Sequence, residues 1–133
     1  MDEETMVDEA LTEEMISAGR ELIKLLDQYK LSVSDSYWLY LSEINAWRLV
    51  IVSPEVLSNG PKNVYKSIQS ILQKSSKHIG INLQDISVVG PNDFIATLFR
   101  TAIKTGKGIS GIRFSRNTIN GFYIDDAYIY RIT

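Results

Sequence analysis

Apolar positions fall in two rhythms along this chain. Between residues 5 and 30, Leu11, Met15, Ala18, Leu22, Leu25 and Tyr29 follow one another at spacings of 4, 3, 4, 3 and 4. Residues three and four apart share one face of an α-helix, so the run predicts a first helix. Ile16, Ile23 and Leu26 widen the stripe into an arc. A broad arc suits a helix lying on a sheet better than a free coiled-coil seam, and the run is shorter than a coiled coil requires. Thr5-x-x-Asp8 and Thr12 are competing start signals.

The rhythm changes at residue 36. Residues 36–42 (SYWLYLS) and 46–53 (AWRLVIVS) are rich in Tyr, Trp, Val and Ile and are separated by Glu43-Ile44-Asn45. They predict two strands of a hairpin. Tyr37, Leu39 and Leu41 alternate with Trp38 and Tyr40, so both faces are apolar. A hairpin solvated on one side alternates apolar with polar instead. Either helices cover both faces, or one face meets a partner. Arg48 is the exception and is expected to snorkel at a sheet edge.

Ser53-Pro54 closes the hairpin, and Asn59-Gly60-Pro61 opens a second helix with Pro61 at its first position. Val64, Ile68, Ile71 and Leu72 form its buried stripe. Ile86–Val89 is a short strand. Asn92 or Asp93 caps a third helix running to about Thr105, with Phe94, Leu98, Ala102 and Ile103 inward and Gly106 just past its end. The remainder is β-rich. Ile112–Ser115, Phe122–Ile124 and Ala127–Ile132 are strand-like, and Asp125-Asp126 is expected as a turn or bulge. Arg116-Asn117 and Asn120-Gly121 compete as hairpin turns, the second being the stronger signal.

This order predicts an α+β fold in one domain, residues 1–133. One mixed or mainly antiparallel sheet carries about three helices and ends in a β-rich C-terminus. The composition, 44% hydrophobic and 23% charged over 133 residues, fits a globular domain. No apolar run reaches membrane-spanning length, and the acidic start lacks the features of a secretory signal. The expected location is cytoplasmic, away from any membrane. The absence of cysteine excludes disulfides and thiolate chemistry.

Charge is uneven. Residues 1–14 carry seven acids and no base, leaving fourteen bases against nine acids in the rest. Acids suit a helix start, and such an arm could also cover a basic surface. Residues 1–10 are taken as a frayed acidic arm.

The densest set of groups for a polar ligand lies in the last third, where Lys104, Lys107, Arg113 and Arg116 flank a glycine-rich loop. Gly106-Lys107-Gly108-Ile109-Ser110-Gly111 spells G-x-G-x-x-G, but a helix precedes it and a strand follows. The dinucleotide fingerprint needs the reverse. What survives is an anion nest of successive backbone N–H groups, with Lys107, Gly108, Arg113, Arg116 and Asp126 as ligand-binding residues. The arginines could equally pair with Asp125 or Asp126 across the sheet. His78, the single histidine, has no nucleophile-elbow motif to serve.

No metal or cofactor site and no catalytic residue is therefore assigned. Tyrosines interleave with arginines near the C-terminus, but a pI of about 5.4 argues against nucleic acid. The leading expectation is a non-enzymatic interaction module that self-associates or meets a protein partner, with Trp38, Tyr40 and Trp47 as interface anchors. The alternative is a binder of a small anion or nucleotide, conceivably enzymatic, using the Gly106–Arg116 loop and the strands beside it.

Overall fold

The computed structural model describes residues 10–133. The Thr5 start signal and residues 1–9 of the acidic arm lie outside the described residues. The first helix, α1, spans Glu13–Gln28, with Thr12 as N-cap: its hydroxyl accepts from the Met15 N–H at 3.1 Å. Of the two start signals Thr12 is thus the one in use. Glu13 and Glu14 stand in the first turn, where the helix dipole favours acids.

Strands β1 (Asp35–Leu41) and β2 (Ala46–Val52) form the expected antiparallel hairpin. Its turn is held by Asn45, in the left-handed region at φ 50°, whose side chain accepts from the Tyr40 hydroxyl. A short helix unanticipated from the sequence, α2 (Glu55–Asn59), leads into α3 (Pro61–Lys74). A 3-10 turn, Leu83–Asp85, precedes β3 (Ile86–Val89), which pairs parallel to β2. Helix α4 (Phe94–Ala102) starts at an Asp93 cap that accepts from the Ala96 N–H at 3.2 Å. Strands β4 (Ile112–Ile119) and β5 (Phe122–Ile132) close the chain around Asn120-Gly121. Both turn residues have positive φ, at 50° and 79°, as an Asn-Gly hairpin turn requires.

The five strands make one mixed sheet in the order β3-β2-β1-β5-β4. The central hairpin is apolar on both faces because helices cover both. On one face Trp38, Tyr40, Trp47, Leu49 and Ile51 pack with Leu22, Ile23 and Leu26 of α1 and Val64 and Ile68 of α3. On the other face Tyr37, Val50, Val52 and Ile129 pack with Ala96, Leu98 and Phe99 of α4. The heptad-like run of α1 therefore packs on the core from Leu11 to Leu25, while Tyr29 at its end is 42% exposed. Two helices cover the first face and only the nine-residue α4 the second.

Three expectations need correction. Helix α4 stops at Ala102, and Ile103 after it is already extended. Gly106 (φ 81°) thus shapes the following loop rather than capping the helix. The buried stripe of α4 is Ala96, Leu98 and Phe99, whereas Phe94 is 58% exposed and Ala102 is also exposed. Phe94 shares a face with the buried Leu98 but is the first residue of the helix, and its ring leans on Phe122 at the hairpin tip instead of entering the core. Asp125 and Asp126 form no turn: β5 runs continuously through them.

Alternation in this last hairpin nonetheless breaks once on each strand. Phe114 and Ile119 of β4 both face α4 although five residues apart, as do Ile124 and Ala127 of β5, three apart. A regular strand would send such pairs to opposite faces. The break falls at Arg116, whose φ of 47° is left-handed. The pairings Ser115↔Asp126 and Asn117↔Ile124 lie on either side of it. Arg116 and Asp125 thus face each other, and because both strands switch face together the register is preserved.

Candidate functional site

The residues expected to bind an anion do not converge. Arg113 and Asp126 project from neighbouring strands on the α1–α3 side and hold each other. Arg113 Nε donates to Asp126 Oδ1 at 2.7 Å and Nη2 to Oδ2 at 2.6 Å. The guanidinium also lies 5.7 Å from the Trp47 ring centroid, within reach of a cation–π contact. Burial alone would raise the Asp126 pKa, but hydrogen bonding to Arg113 and its charge outweigh that and hold it below the usual carboxylate value. The Asp126 hydrogen bond raises the Arg113 pKa in turn. This is the cross-strand pair that was the alternative reading of these residues. Arg116 is exposed at the kink in β4.

The glycine-rich loop serves the sheet. Thr105 N–H donates to the Ile132 carbonyl at 2.9 Å and Ser110 N–H to the Tyr130 carbonyl at 2.7 Å. The Gly108 carbonyl accepts from Arg131 Nε at 3.1 Å. The loop therefore runs along the last residues of β5 beyond the reach of β4, and two of its N–H groups are engaged there rather than open to an anion. Gly111 is needed where the chain passes Tyr128: a Cβ there would meet the Tyr128 hydroxyl and lie 3.1 Å from its Cζ.

Lys107 is the expected ligand residue that lines a substantial cavity. A cleft of about 620 Å³ opens between the end of α1, the segment into β1, Pro54 and the glycine loop. Its wall includes Arg131, one of the arginines interleaved with tyrosines near the C-terminus. Arg131 is 5% exposed. Its Nη1 donates to Asp27 Oδ1 at 3.1 Å and to the Val33 carbonyl at 3.0 Å, and its Nη2 to Asp27 Oδ2 at 2.8 Å. No local pattern marks it, because its partners lie about a hundred residues away in sequence.

The expected interface anchors are inside. Trp38, Tyr40 and Trp47 are 2%, 5% and 5% exposed. Trp38 and Tyr130 instead clamp α1. Trp38 Nε1 donates to the Met15 carbonyl at 3.2 Å and to the Tyr130 hydroxyl at 3.1 Å, and that hydroxyl donates to the Ile16 carbonyl at 2.6 Å.

The large aromatic surface lies elsewhere. Phe94 of α4 and Phe122 of β5 stack edge to face at 5.0 Å, 58% and 42% exposed. They sit at the tip of the last hairpin, beside edge strand β4. Among the described residues no main-chain hydrogen bond reaches the outer side of β4. The opposite edge is capped: the Tyr65 hydroxyl of α3 donates to the Ile86 carbonyl at 2.5 Å and accepts from the Val88 N–H at 3.2 Å. Arg48 also reaches β3, donating to Ser87 Oγ at 3.1 Å and to the Ile86 carbonyl at 3.2 Å.

Among the described residues no three metal-ligating side chains cluster, and no helix is long and apolar enough to cross a membrane.

The molecule is thus an α+β domain built on a mixed five-stranded sheet. No family model matches it, and no solved structure does. Curated proteins do show a likeness. The chain is 32% identical over 121 residues to Protein Ycf2 of Calycanthus floridus var. glaucus, taking in 80% of this chain and 5% of that protein. Protein Ycf2 of Buxus microphylla and of Liriodendron tulipifera match with the same identity and shares. The chain therefore spans about a twentieth of the length of these relatives.

Proposed function

We propose that this chain is a non-enzymatic interaction module that self-associates through the outer surface of α4 and the tip and open edge of the β4–β5 hairpin. The exposed Phe94–Phe122 stack carries the reading. Two phenyl rings left in water forgo the stabilisation that burial gives an aromatic side chain. Phe94 and Phe122 lie on the sheet face with a single helix, next to edge strand β4, whose outer main-chain groups bond to no other element among the described residues. Aromatic residues beside an unpaired strand suit a contact between folded surfaces.

A second copy is the occupant favoured here. A two-fold axis at the hairpin would set the same aromatic patch against itself, the self-complementary arrangement of isologous dimers. The sequence anchors Trp38, Tyr40 and Trp47 are replaced in this reading by Phe94 and Phe122, because only the latter have surface to offer.

The test is a Phe94→Ser, Phe122→Ser double variant. It should sediment as a monomer at concentrations where the wild type does not, while its melting temperature stays close to that of a wild-type sample diluted to monomer. An assembly unchanged in mass and affinity would exclude this surface.

A further inference from the structure

We infer that the cleft between the end of α1 and the glycine loop binds a small organic anion, a phosphate or carboxylate group carried on an apolar body. The inference is independent of self-association, since it uses a different surface. It places ligand binding at Lys30, Lys107 and Arg131 instead of Arg113, Arg116 and Asp126.

Three observations converge on the cleft. The first is its charge. Lys30, Lys107 and Arg131 line it against the single side-chain carboxylate of Asp27, which Arg131 already chelates. Neither lysine has an ion-pair partner among the described residues. Lys24 and Lys77, by contrast, both pair with Glu21.

The second is the donor count at Arg131. A guanidinium has five N–H groups. Four are committed, to Gly108, to Asp27 twice and to Val33. The fifth, on Nη2, has no partner among the described residues, although the residue is 5% exposed. A cationic donor left over at a residue that lines the cleft is available to an acceptor bound there.

The third is the backbone of Lys30. It follows the Tyr29 C-cap of α1 with φ 64°, in the left-handed region. Glycine is the favoured residue at that position because a Cβ there is strained. The chain instead keeps a lysine, and that residue lines the cleft. Strain retained at a cavity wall is the kind that function explains.

Size and walls define the ligand further. About 620 Å³ lies within the range of small-molecule pockets, roughly 300–1,000 Å³. Leu31, Val33 and Pro54 supply apolar wall beside the cations. Such a cleft prefers an anion with a hydrophobic body over a bare inorganic ion.

Titration calorimetry of the full chain with phenyl phosphate, phenylacetate and inorganic phosphate tests this. One of the two organic probes should bind saturably, more tightly than inorganic phosphate, and the stronger of them identifies the anionic group. Lys30→Gly and Lys107→Ala should each weaken binding about three- to tenfold, as loss of one charge-assisted contact does. Lys30→Gly should at the same time raise the melting temperature by about 2–5 °C, because glycine relaxes the left-handed position. Affinity falling while stability rises separates a ligand contact from a structural role. Absence of saturable binding by all three probes, or unchanged affinity in the folded Lys30→Gly, Lys107→Ala double variant, would overturn the proposal.

Discussion

Tyr37 shows how individual residues settle their polar groups when the core is two-sided. Its ring packs edge to face on Phe99 at 4.9 Å, fully buried, and its hydroxyl has no hydrogen-bond partner among the described residues. Burial pushes its pKa far up, so it stays neutral. A buried hydroxyl without a partner costs about 1–3 kcal/mol of desolvation. Tyr37→Phe should therefore leave stability unchanged or raise it by up to about 1 kcal/mol in urea unfolding. A clear loss would mean the hydroxyl is bonded after all.

Asp126 gives the complementary case. Its folded pKa is lowered, so its ion pair with Arg113 stabilises the fold above the unfolded carboxylate pKa and is lost as pH falls through the folded value. Asp126→Asn should be less stable than wild type at neutral pH, with the gap closing below about pH 4. A gap independent of pH would show that the pair acts by packing alone. This pairing was legible as a cross-strand possibility. The Arg131–Asp27 pair was not, since no periodicity links residues 104 apart.

Elements were legible wherever one period ran unbroken. The 4-3 spacing placed α1 and α3, and the doubly apolar hairpin required helices on both faces or a partner. The sequence was less informative where tertiary contact decides. The phase of α4 depends on which side of a nine-residue, largely apolar helix meets the sheet. The break at Arg116 and Asp125 leaves the pairing register intact, so nothing in the pattern announces it. The glycine loop reads as a connection but bonds like an extra strand along β5.

Close approach between elements is also invisible in sequence until the partners are known. Gly19 lies under the Trp38–Tyr130 clamp, and a Cβ there would come within 2.9 Å of Trp38 Nε1 and meet the Tyr130 ring. Alanine is worth about 1 kcal/mol over glycine in a helix interior, whereas overpacking a core costs about 1–3 kcal/mol. Clash should win: Gly19→Ala is expected to lower stability by about 1–2 kcal/mol in urea unfolding. A stabilised variant would show that α1 can lift off the sheet freely.

The whole molecule is asymmetric. One sheet face carries α1 and α3 and the edge beside it is capped by Tyr65. The other carries α4 alone and ends at an open β4 with the Phe94–Phe122 stack at its tip. The anion cleft lies apart from that surface, at the end of α1, so assembly and ligand binding can be separated by mutation. Similarity to a short part of Protein Ycf2 concerns most of this chain but little of that protein.

Sedimentation velocity of the full chain over a concentration series reads self-association directly. Each chain weighs 15.1 kDa. Self-association through the Phe94–Phe122 surface predicts a concentration-dependent shift to twice that mass, abolished by the Phe94→Ser, Phe122→Ser substitutions. A single monomeric species from about 1 to about 100 µM, where a contact of useful affinity would already be populated, would contradict it.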